Sequence, residues 1–468
     1  MKTYQDLLAV GQDEKERMAF VKQCIMDHKS TGMYKTAIIA DQYNRHINTT
    51  ITEYQKILYT VSGKAIPDVW SANFKMSCRH FHRFITQENQ FLLGNGVSWE
   101  NEDTADKLGN SEYQFDTQLS TLGKNALVHG VSFGFFNLDH LEVFSLLEFA
   151  PLYDEENGSI RAGIRFWQIS ADKPLRATLY EEDGYTDYMW VNSEERILHP
   201  KRAYKLKIVK SEIDGERIYD AENYPSFPIV PLWGNSEHQS EIVGLREQID
   251  CYDLIKSGFA NTVDEASIVY WTLQNAGGMD DVDLAKFVER MKTVHAATTD
   301  DMVTAQSHTQ DAPYLSREAL LDRLDNDLYR DAMALNTDTI AGGAVTATQI
   351  KAAYEPLNSK TDDYEYQIIT FINKILGLAG IDDTPSFTRS ILVNANETIQ
   401  VLVQAAPYLP ADYVTTKILE TLGDGDKTED ILNQMSADEI DRFAGIVSDA
   451  AAMNNDDTED AEMTETEG

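Results

Sequence analysis

An α+β fold is predicted, and three observations predict it. Two long amphipathic stretches, 240–266 and 317–336, carry apolar residues at helical spacings and flank a compact insertion. A third periodic stretch runs from 346 to 378. Between 131 and 223, apolar strands are broken at Asn157-Gly158, Asp183-Gly184 and Asp214-Gly215. Such dipeptides favour hairpins because both residues tolerate positive φ. At 468 residues and 42% hydrophobic content, the chain can bury a sizeable core and hold more than one domain.

Taken in order, residues 1–70 read as an N-terminal helical region, polar and without a clear period over Met33–Tyr59. Ala72–Leu93 is predicted helical, with Phe74, Cys78, Phe81, Ile85 and Leu92 on one stripe and Gly94 suited to the C-terminal cap. Cys78, His80 and His82 invite a zinc reading, which the spacing opposes: residues two apart on a helix point away from one another. Ser111–His129 is the next helix, ending at Gly130. Strands are expected over Val131–Leu138, Glu142–Tyr153 and Ser159–Ser170. His199, Lys201, Arg202, Lys205, Lys207 and Lys210 form the one basic cluster. Tyr204, Leu206 and Ile208 alternate with these bases, as on a solvated strand face.

Phe227–Trp233 reads as a strand punctuated by Pro225, Pro228 and Pro231 and broken by Gly234-Asn235. The helix Ser240–Ala266 follows, with Ile242, Leu245, Ile249, Tyr252, Ile255, Phe259 and Val263 on one face. At ~1.5 Å per residue it would be about 40 Å long. Its other face carries Glu241, Arg246, Glu247, Asp250, Asp253, Lys256 and Asp264, which suits a wet exterior. The insertion 267–315 is read as a strand Ser267–Leu273, a break at Gly277-Gly278, a helix Val282–Lys292 and a polar strand Val294–Thr304. Tyr270, Trp271 and Leu273 are too apolar for an exposed tip unless a partner covers them. Ser316 is expected to cap the helix Arg317–Asn336, whose stripe is Leu321, Leu324, Leu328, Ala332 and Leu335. A flexible break at 336–345 holds Asn336, Thr337, Asp338, Thr339, Gly342 and Gly343. Thr346 and Gln349 have capping-box spacing for the third helix, which ends at Gly380 and which Pro356 is expected to kink. Short helices follow at Glu397–Ala406, Ala411–Leu422 and Thr428–Met435. Asp449–Gly468, with eight acids and no base, reads as a disordered acidic tail.

The formal net charge is −37, from 77 acids and 40 bases. A protein that grips nucleic acid by its phosphates is basic on that face, so this one is expected to repel DNA or let it slide. Cys24, Cys78 and Cys251 are odd in number and scattered, which argues for a reducing compartment and against a disulfide framework. No apolar run reaches the ~20 residues of a membrane span, and the start of the chain has no signal-peptide pattern. A soluble protein made in the cytoplasm is expected. Gly423–Thr428 ends in Lys-Thr but lacks phosphate-loop spacing and places two acids where phosphates would bind. With no GxSxG, no HExxH and no spaced Cys/His quartet, neither enzymatic chemistry nor a cofactor nor a metal is expected.

Tyr224–Asn275, with its PIVPLWGN strand, its LREQIDCYDLIKSGFANTVDEA helix and the aromatic strand after it, resembles the portal proteins of tailed bacteriophages, the head-tail connectors of long-tailed phages of Gram-positive hosts. LLGNGV at Leu92–Val97, the order of HGVSFGFF and PLYDEENGSIRAGIRFW, and the run from Phe387 to Asp430 extend the likeness over 70–435. The resemblance implies a wing (71–239), a two-helix stem (240–266 and 316–336), a clip (267–315), a tunnel loop (337–345), a wing-spanning helix (346–384), a crown (385–447) and the tail (448–468). It also implies a dodecameric ring at the capsid vertex of the virion, through which double-stranded DNA passes in packaging and ejection. The implied partners are the terminase large subunit, a head-completion adaptor, scaffold and major capsid protein, with no membrane. The resemblance assigns stem packing to Ile242, Leu245, Ile249, Tyr252, Leu321, Leu324 and Leu328. It assigns partner binding to Tyr270, Trp271 and Leu273, and the channel constriction to Asn336, Thr337, Asp338, Thr339, Gly342 and Gly343. Pro356 and a short crown depart from the pattern. Another ring-forming virion protein, such as an adaptor or capsid component, and an acidic intracellular enzyme remain the alternatives.

Overall fold

The structure, a computed structural model, describes residues 2–11, 13–59, 63–69, 71–101, 103–109, 114–191, 194–210, 217–266, 270–274, 280, 282–283, 285–287, 289, 304–308, 314–338, 347–390, 395–422, 428 and 432. The chain divides into two compact units, one of residues 1–334 with 360–388, the other of 335–359 with 389–468.

The first unit opens with α1 (Tyr4–Val10), α2 (Glu14–Ser30), α3 (Gly32–Asn44) and α4 (Thr49–Glu53). Each starts at a side-chain cap: Thr3, Asp13, Thr31 and Asn48 accept first-turn amide protons that no helical carbonyl can reach. A hairpin of β1 (Ile57–Tyr59) and β2 (Ala65–Pro67) follows, then α5 (His80–Leu93), β3 (Ser98–Trp99), α6 (Thr104–Lys107) and α7 (Phe115–His129). The chain next builds β4 (Val131–Asn137), β5 (His140–Ser145), β6 (Phe149–Tyr153), β7 (Ile160–Trp167), β8 (Leu175–Glu181), β9 (Gly184–Val191) and β10 (Glu194–Arg202). β11 (Lys205–Lys210) pairs with β12 (Arg217–Glu222), and β13 (Ile229–Trp233) precedes α8 (Arg246–Ala266). β14 (Tyr270–Gln274), β15 (Thr304–His308) and α9 (Tyr314–Asp331) complete the middle of the chain, and α10 (Ala347–Ala379) is continuous through Pro356.

Two antiparallel sheets organise this unit. β10-β9-β8-β7-β6 is a meander, and β13-β4-β5 is a three-stranded sheet in which β13 returns beside β4. The turns at 157–158 and 183–184 form hairpins, as the dipeptides predict. One core gathers Phe133, Phe144 and Phe149 with Leu119 and Leu122 of α7, Phe81 and Ile85 of α5, and Ile368, Phe371 and Ile375 of α10. Gly123 is required there: a Cβ would lie 1.9 Å from the Tyr364 hydroxyl, which donates to Asn89 Oδ1 at 2.8 Å. The second core packs Phe20, Val21, Cys24 and Ile25 of α2 on Ile164, Phe166, Leu179 and Tyr188 of the meander. Residues 1–70 are therefore not a region apart; their apolar stripe closes one face of that sheet, and 57–67 is a β-hairpin rather than a helix.

Five element boundaries differ from expectation. Residues 72–79 are extended, so α5 starts at His80. Residues 241–245 are turns, with Gly244 at φ +86°, a conformation that ends helical propagation. The helix begins at Arg246 and is about 32 Å long rather than 40. Ser316 is not a cap; it lies inside α9, which starts at Tyr314. α9 stops at Asp331, where Met333 turns left-handed (φ +53°) and the Ala334 amide closes back on the Tyr329 carbonyl. The polar strand expected over Val294–Thr304 appears as Thr304–His308, residues 294–303 lying outside the described set.

In the second unit, α11 (Ala395–Ala405) and α12 (Ala411–Leu422) are joined through a single 3-10 turn at Ala406–Tyr408. Arg389 Nη1 donates to the Asn358 carbonyl and side chain. Of the expected helix Thr428–Met435 only Thr428 and Leu432 are described, both helical, while Thr346 of the expected capping box and the acidic tail fall outside the described residues.

Candidate functional site

α8 and α9 form an antiparallel hairpin. Near the root, Gln248 Nε2 donates to Asp331 Oδ2 at 2.6 Å. Toward the far end, Arg317 Nη1 donates to the Gly258 carbonyl at 3.1 Å and to Thr262 Oγ1 at 2.6 Å, and the Phe259 and Tyr314 rings meet edge to face at 5.9 Å. The same antiparallel pairing continues into the β14–β15 ribbon, where Tyr270 opposes His308 and Gln274 opposes Thr304. The residues expected to pack this hairpin divide in two. Ile242, Leu245, Ile249 and Leu328 are buried in the main core at the root. Tyr252, Leu321 and Leu324 are half-buried along the shaft. The shaft is held instead by Arg317, which sequence patterning did not single out; an arginine within one helical turn of a helix start carries no periodic signal.

On the side of α8 away from α9 lies an extended strap, residues 72–79. The amides of Phe74, Met76 and Cys78 donate to Asn261 Oδ1, Ser257 Oγ and Asp253 Oδ1, at 2.7, 3.0 and 2.9 Å. Alternate amides of an extended chain repeat every ~6.6 Å, and side chains four apart on a helix every ~6 Å, so the two periods match over three rungs. Asp253, Ser257 and Asn261 are all buried. Part of the acidic face expected to be wet is thus a row of internal acceptors. Asn48 Nδ2 also donates to Asp253 Oδ2 at 2.9 Å, and Tyr43 and Thr50 bond to Asp250, tying α3 and α4 to α8. Burial raises the Asp253 carboxyl, against the hydrogen bonds from Asn48 and Cys78 that lower it.

The strap also alters the Cys78–His80–His82 reading. Because Cys78 is extended rather than helical, its Sγ lies 2.9 Å from His80 Nδ1, while His80 Nε2 lies 2.7 Å from Asp325 Oδ1 on α9. His82 turns to Asn44 instead. Burial pushes the Cys78 thiol up to about 12, so it stays protonated and unreactive. Among the described residues, no group of three His, Cys, Asp or Glu side chains is placed to hold a metal ion.

A buried charge cluster underlies the hairpin root. Lys360 Nζ on α10 lies 2.8 Å from Glu88 Oε2 on α5 and 2.7 Å from Glu241 Oε2, and donates to the Ala332 carbonyl just past α9 at 3.3 Å. The Glu88 side chain is 2% exposed. Burial raises its carboxyl to about 7 against the pull of Lys360, and the two carboxylates hold the ammonium in its charged form.

Asn336 is half-buried, and Thr337 and Asp338 are exposed, with the Asp338 amide donating to Asn336 Oδ1 at 3.0 Å. Thr339, Gly342 and Gly343 lie outside the described residues, as do the side chains of Tyr270, Trp271 and Leu273. Within the basic cluster, His199 and Arg202 meet Asp187, and Lys201 meets Glu181 and Asp183. These bases answer neighbouring acids on the sheet, not a distant anion. No described helix is long and apolar enough to cross a membrane.

The family profile described as "Phage portal protein, SPP1 Gp6-like" matches residues 40–411. The portal protein of Bacillus phage SPP1 is 22% identical over 388 residues, covering 76% of this chain and 74% of that protein. The portal protein of Clostridium phage phiCD119 is 24% identical over 230 residues, covering 47% of this chain and 51% of that protein, so the chain spans about half of this relative. Among solved structures, the neck of an empty GTA particle (TM-score 0.44, 10% identity, 71% of this chain and 87% of that one) and the neck of the native GTA particle (TM-score 0.43, 10% identity, 72% and 89%) are similar. Likenesses of that size leave the assignment to the sequence matches. With the profile matched from α3 to the start of α12, through the hairpin, its ribbon and α10, the chain belongs to the SPP1 Gp6-like family of phage portal proteins.

Proposed function

We propose that the protein assembles into a ring at the capsid vertex, conducts double-stranded DNA during packaging and ejection, and performs no covalent chemistry itself. One observation carries this reading: the family match spans the hairpin and the ribbon that caps it, the elements assigned to stem and clip. The net charge of −37 supports a channel wall that holds phosphates weakly, since many firm phosphate contacts would stall a moving duplex. The ribbon and residues 275–303 are the docking place for the terminase large subunit and then for a head-completion adaptor. Scaffold and major capsid protein meet the outer parts of the ring. Residues 336–345 line the constriction and touch DNA through Thr337, Thr339 and backbone groups.

A packaging reaction tests this. Proheads built with this protein, terminase and ATP are expected to protect full-length DNA from nuclease. Removal of 275–303 is expected to abolish terminase binding while rings persist. Replacement of Gly342 and Gly343 with Val is expected to leave rings intact and slow packaging. Protected DNA in proheads lacking the protein would end the proposal. Terminase binding by the deletion variant would move the docking place, and full-speed packaging by the double Val variant would move the constriction.

A further inference from the structure

Four elements of the first unit meet at one ammonium. Lys360 Nζ on α10 is shared by Glu88 of α5, Glu241 of the turn before α8 and the Ala332 carbonyl just past α9. The carboxylates lie 2.8 and 2.7 Å away and the carbonyl 3.3 Å, so the carbonyl is the weakest of the three acceptors. Two carboxylates against one ammonium leave a negative charge in excess, at a place where the Glu88 side chain has almost no water. Asp363 of α10 faces Glu88 and adds to that excess while accepting from the Ser236 amide at 2.8 Å. Tyr364 of α10 faces it too, with its hydroxyl given to Asn89, and α7 presents the Ser120 hydroxyl and carbonyl to Asn89. Glu241 also accepts from Asn235 Nδ2 at 2.7 Å and is the more exposed of the two glutamates, which favours its charged form. Glu88 is therefore the one that takes a proton, and burial raises its carboxyl into the neutral range.

The turn that ends α9 depends on its surroundings. Its Met333 is left-handed at φ +53°, a conformation that costs a non-glycine residue roughly 1–3 kcal/mol. The Met333 amide donates to the Arg330 carbonyl at 3.1 Å and the Ala334 amide to the Tyr329 carbonyl at 2.9 Å. From outside the helix, Lys360 holds the Ala332 carbonyl between them. We infer that this cluster is a proton-operated clasp on the end of α9: with Glu88 protonated, the Lys360 ammonium holds the Ala332 carbonyl and the turn stays closed; with Glu88 ionised, the ammonium is drawn to the two carboxylates and the turn is freed. The sign follows from charge. An ionised Glu88 competes with the carbonyl for the same ammonium and makes the site net negative, which repels the carbonyl oxygen. A neutral Glu88 leaves the ammonium to Glu241 and Ala332. The closed turn thus holds the proton more tightly than the open one, and opening increases as pH rises. The clasp lies wholly within the first unit and does not depend on the role proposed for residues 336–345, which follow it in the chain.

Hydrogen exchange on the full chain tests the clasp. Protection of the Ala334 amide, corrected for the intrinsic rate at each pH, is expected to fall about tenfold from pH 6 to pH 8, the worth of one pKa unit of difference between closed and open turn. The Ile249 amide, bonded to the Leu245 carbonyl at the start of α8, is expected to change far less and reports that the fold persists. Glu88→Gln, which copies the shape of the protonated side chain, is expected to keep Ala334 at the higher protection across the whole range. Glu241→Gln leaves the ammonium to Glu88 alone, so the fall is expected to move to lower pH. Flat protection at Ala334 in the parent would overturn the inference, as would the same fall in Glu88→Gln. An equal fall at Ile249 would overturn it as well, because the unit as a whole and not the turn would then be loosening. An unmoved fall in Glu241→Gln would place the titrating group elsewhere and overturn it too.

Discussion

Lys360 is the residue on which the hairpin root most depends. Its ammonium meets Glu88, Glu241 and the Ala332 carbonyl, so it joins α5, the turn before α8, the end of α9 and α10. Removing one member of a buried ion cluster leaves uncompensated charge, at a cost of roughly 3–5 kcal/mol. Lys360→Met is therefore expected to lower the unfolding free energy, measured by denaturant titration near pH 8, by that amount, and a loss below about 1 kcal/mol would contradict the account. Glu88 behaves oppositely. Its folded value, about 7, lies above its ordinary one, 4.5. The folded state therefore binds the proton more tightly, and stability from this group falls as pH rises from about 4.5 to 7. Glu88→Gln removes that penalty while Lys360 keeps Glu241. The melting temperature of the variant relative to the parent should rise between pH 5 and pH 8; a flat or falling difference would contradict the assignment. Neither residue was visible to sequence reading. A single lysine or glutamate in a chain with 117 charged residues carries no pattern, and only the fold brings 88, 241 and 360 together.

The elements were legible where their own periodicity decided them. α7, α8, α10 and the hairpins at Asn157-Gly158 and Asp183-Gly184 arose from local apolar spacing and turn chemistry. Boundaries failed where a tertiary partner overrode propensity. The stripe Phe74–Cys78–Phe81 reads as helix, yet 72–79 is extended because Asp253, Ser257 and Asn261 offer acceptors at a matching repeat, 180 or so residues away in sequence. An unsatisfied buried amide costs about 1–3 kcal/mol, so each rung matters locally. Asn261→Ala is expected to speed hydrogen exchange at the Phe74 amide while the Cys78 amide keeps its protection. Equal exchange at Phe74 in both proteins would mean the strap is held by its side chains instead. The same override accounts for 240–245, where Ile242 and Leu245 are buried as a helical face would be, although Gly244 breaks the helix.

At the scale of the whole molecule, the helices of 1–44 supply part of the core of the first unit. The ring proposed above would cover exposed apolar faces of one chain with copies of itself. Subunits carrying −37 each repel one another, so assembly should tighten as salt rises through the range in which the screening length falls from about 30 Å to 10 Å. The most direct measurement is single-particle imaging, with mass determination, of the purified protein at micromolar concentration in about 0.15 M salt. The account predicts closed rings with a central hole wide enough for a duplex and a mass that is a whole multiple of the 52.8 kDa chain, twelve-fold by the family expectation. A stable monomer or an isologous dimer under those conditions would contradict it.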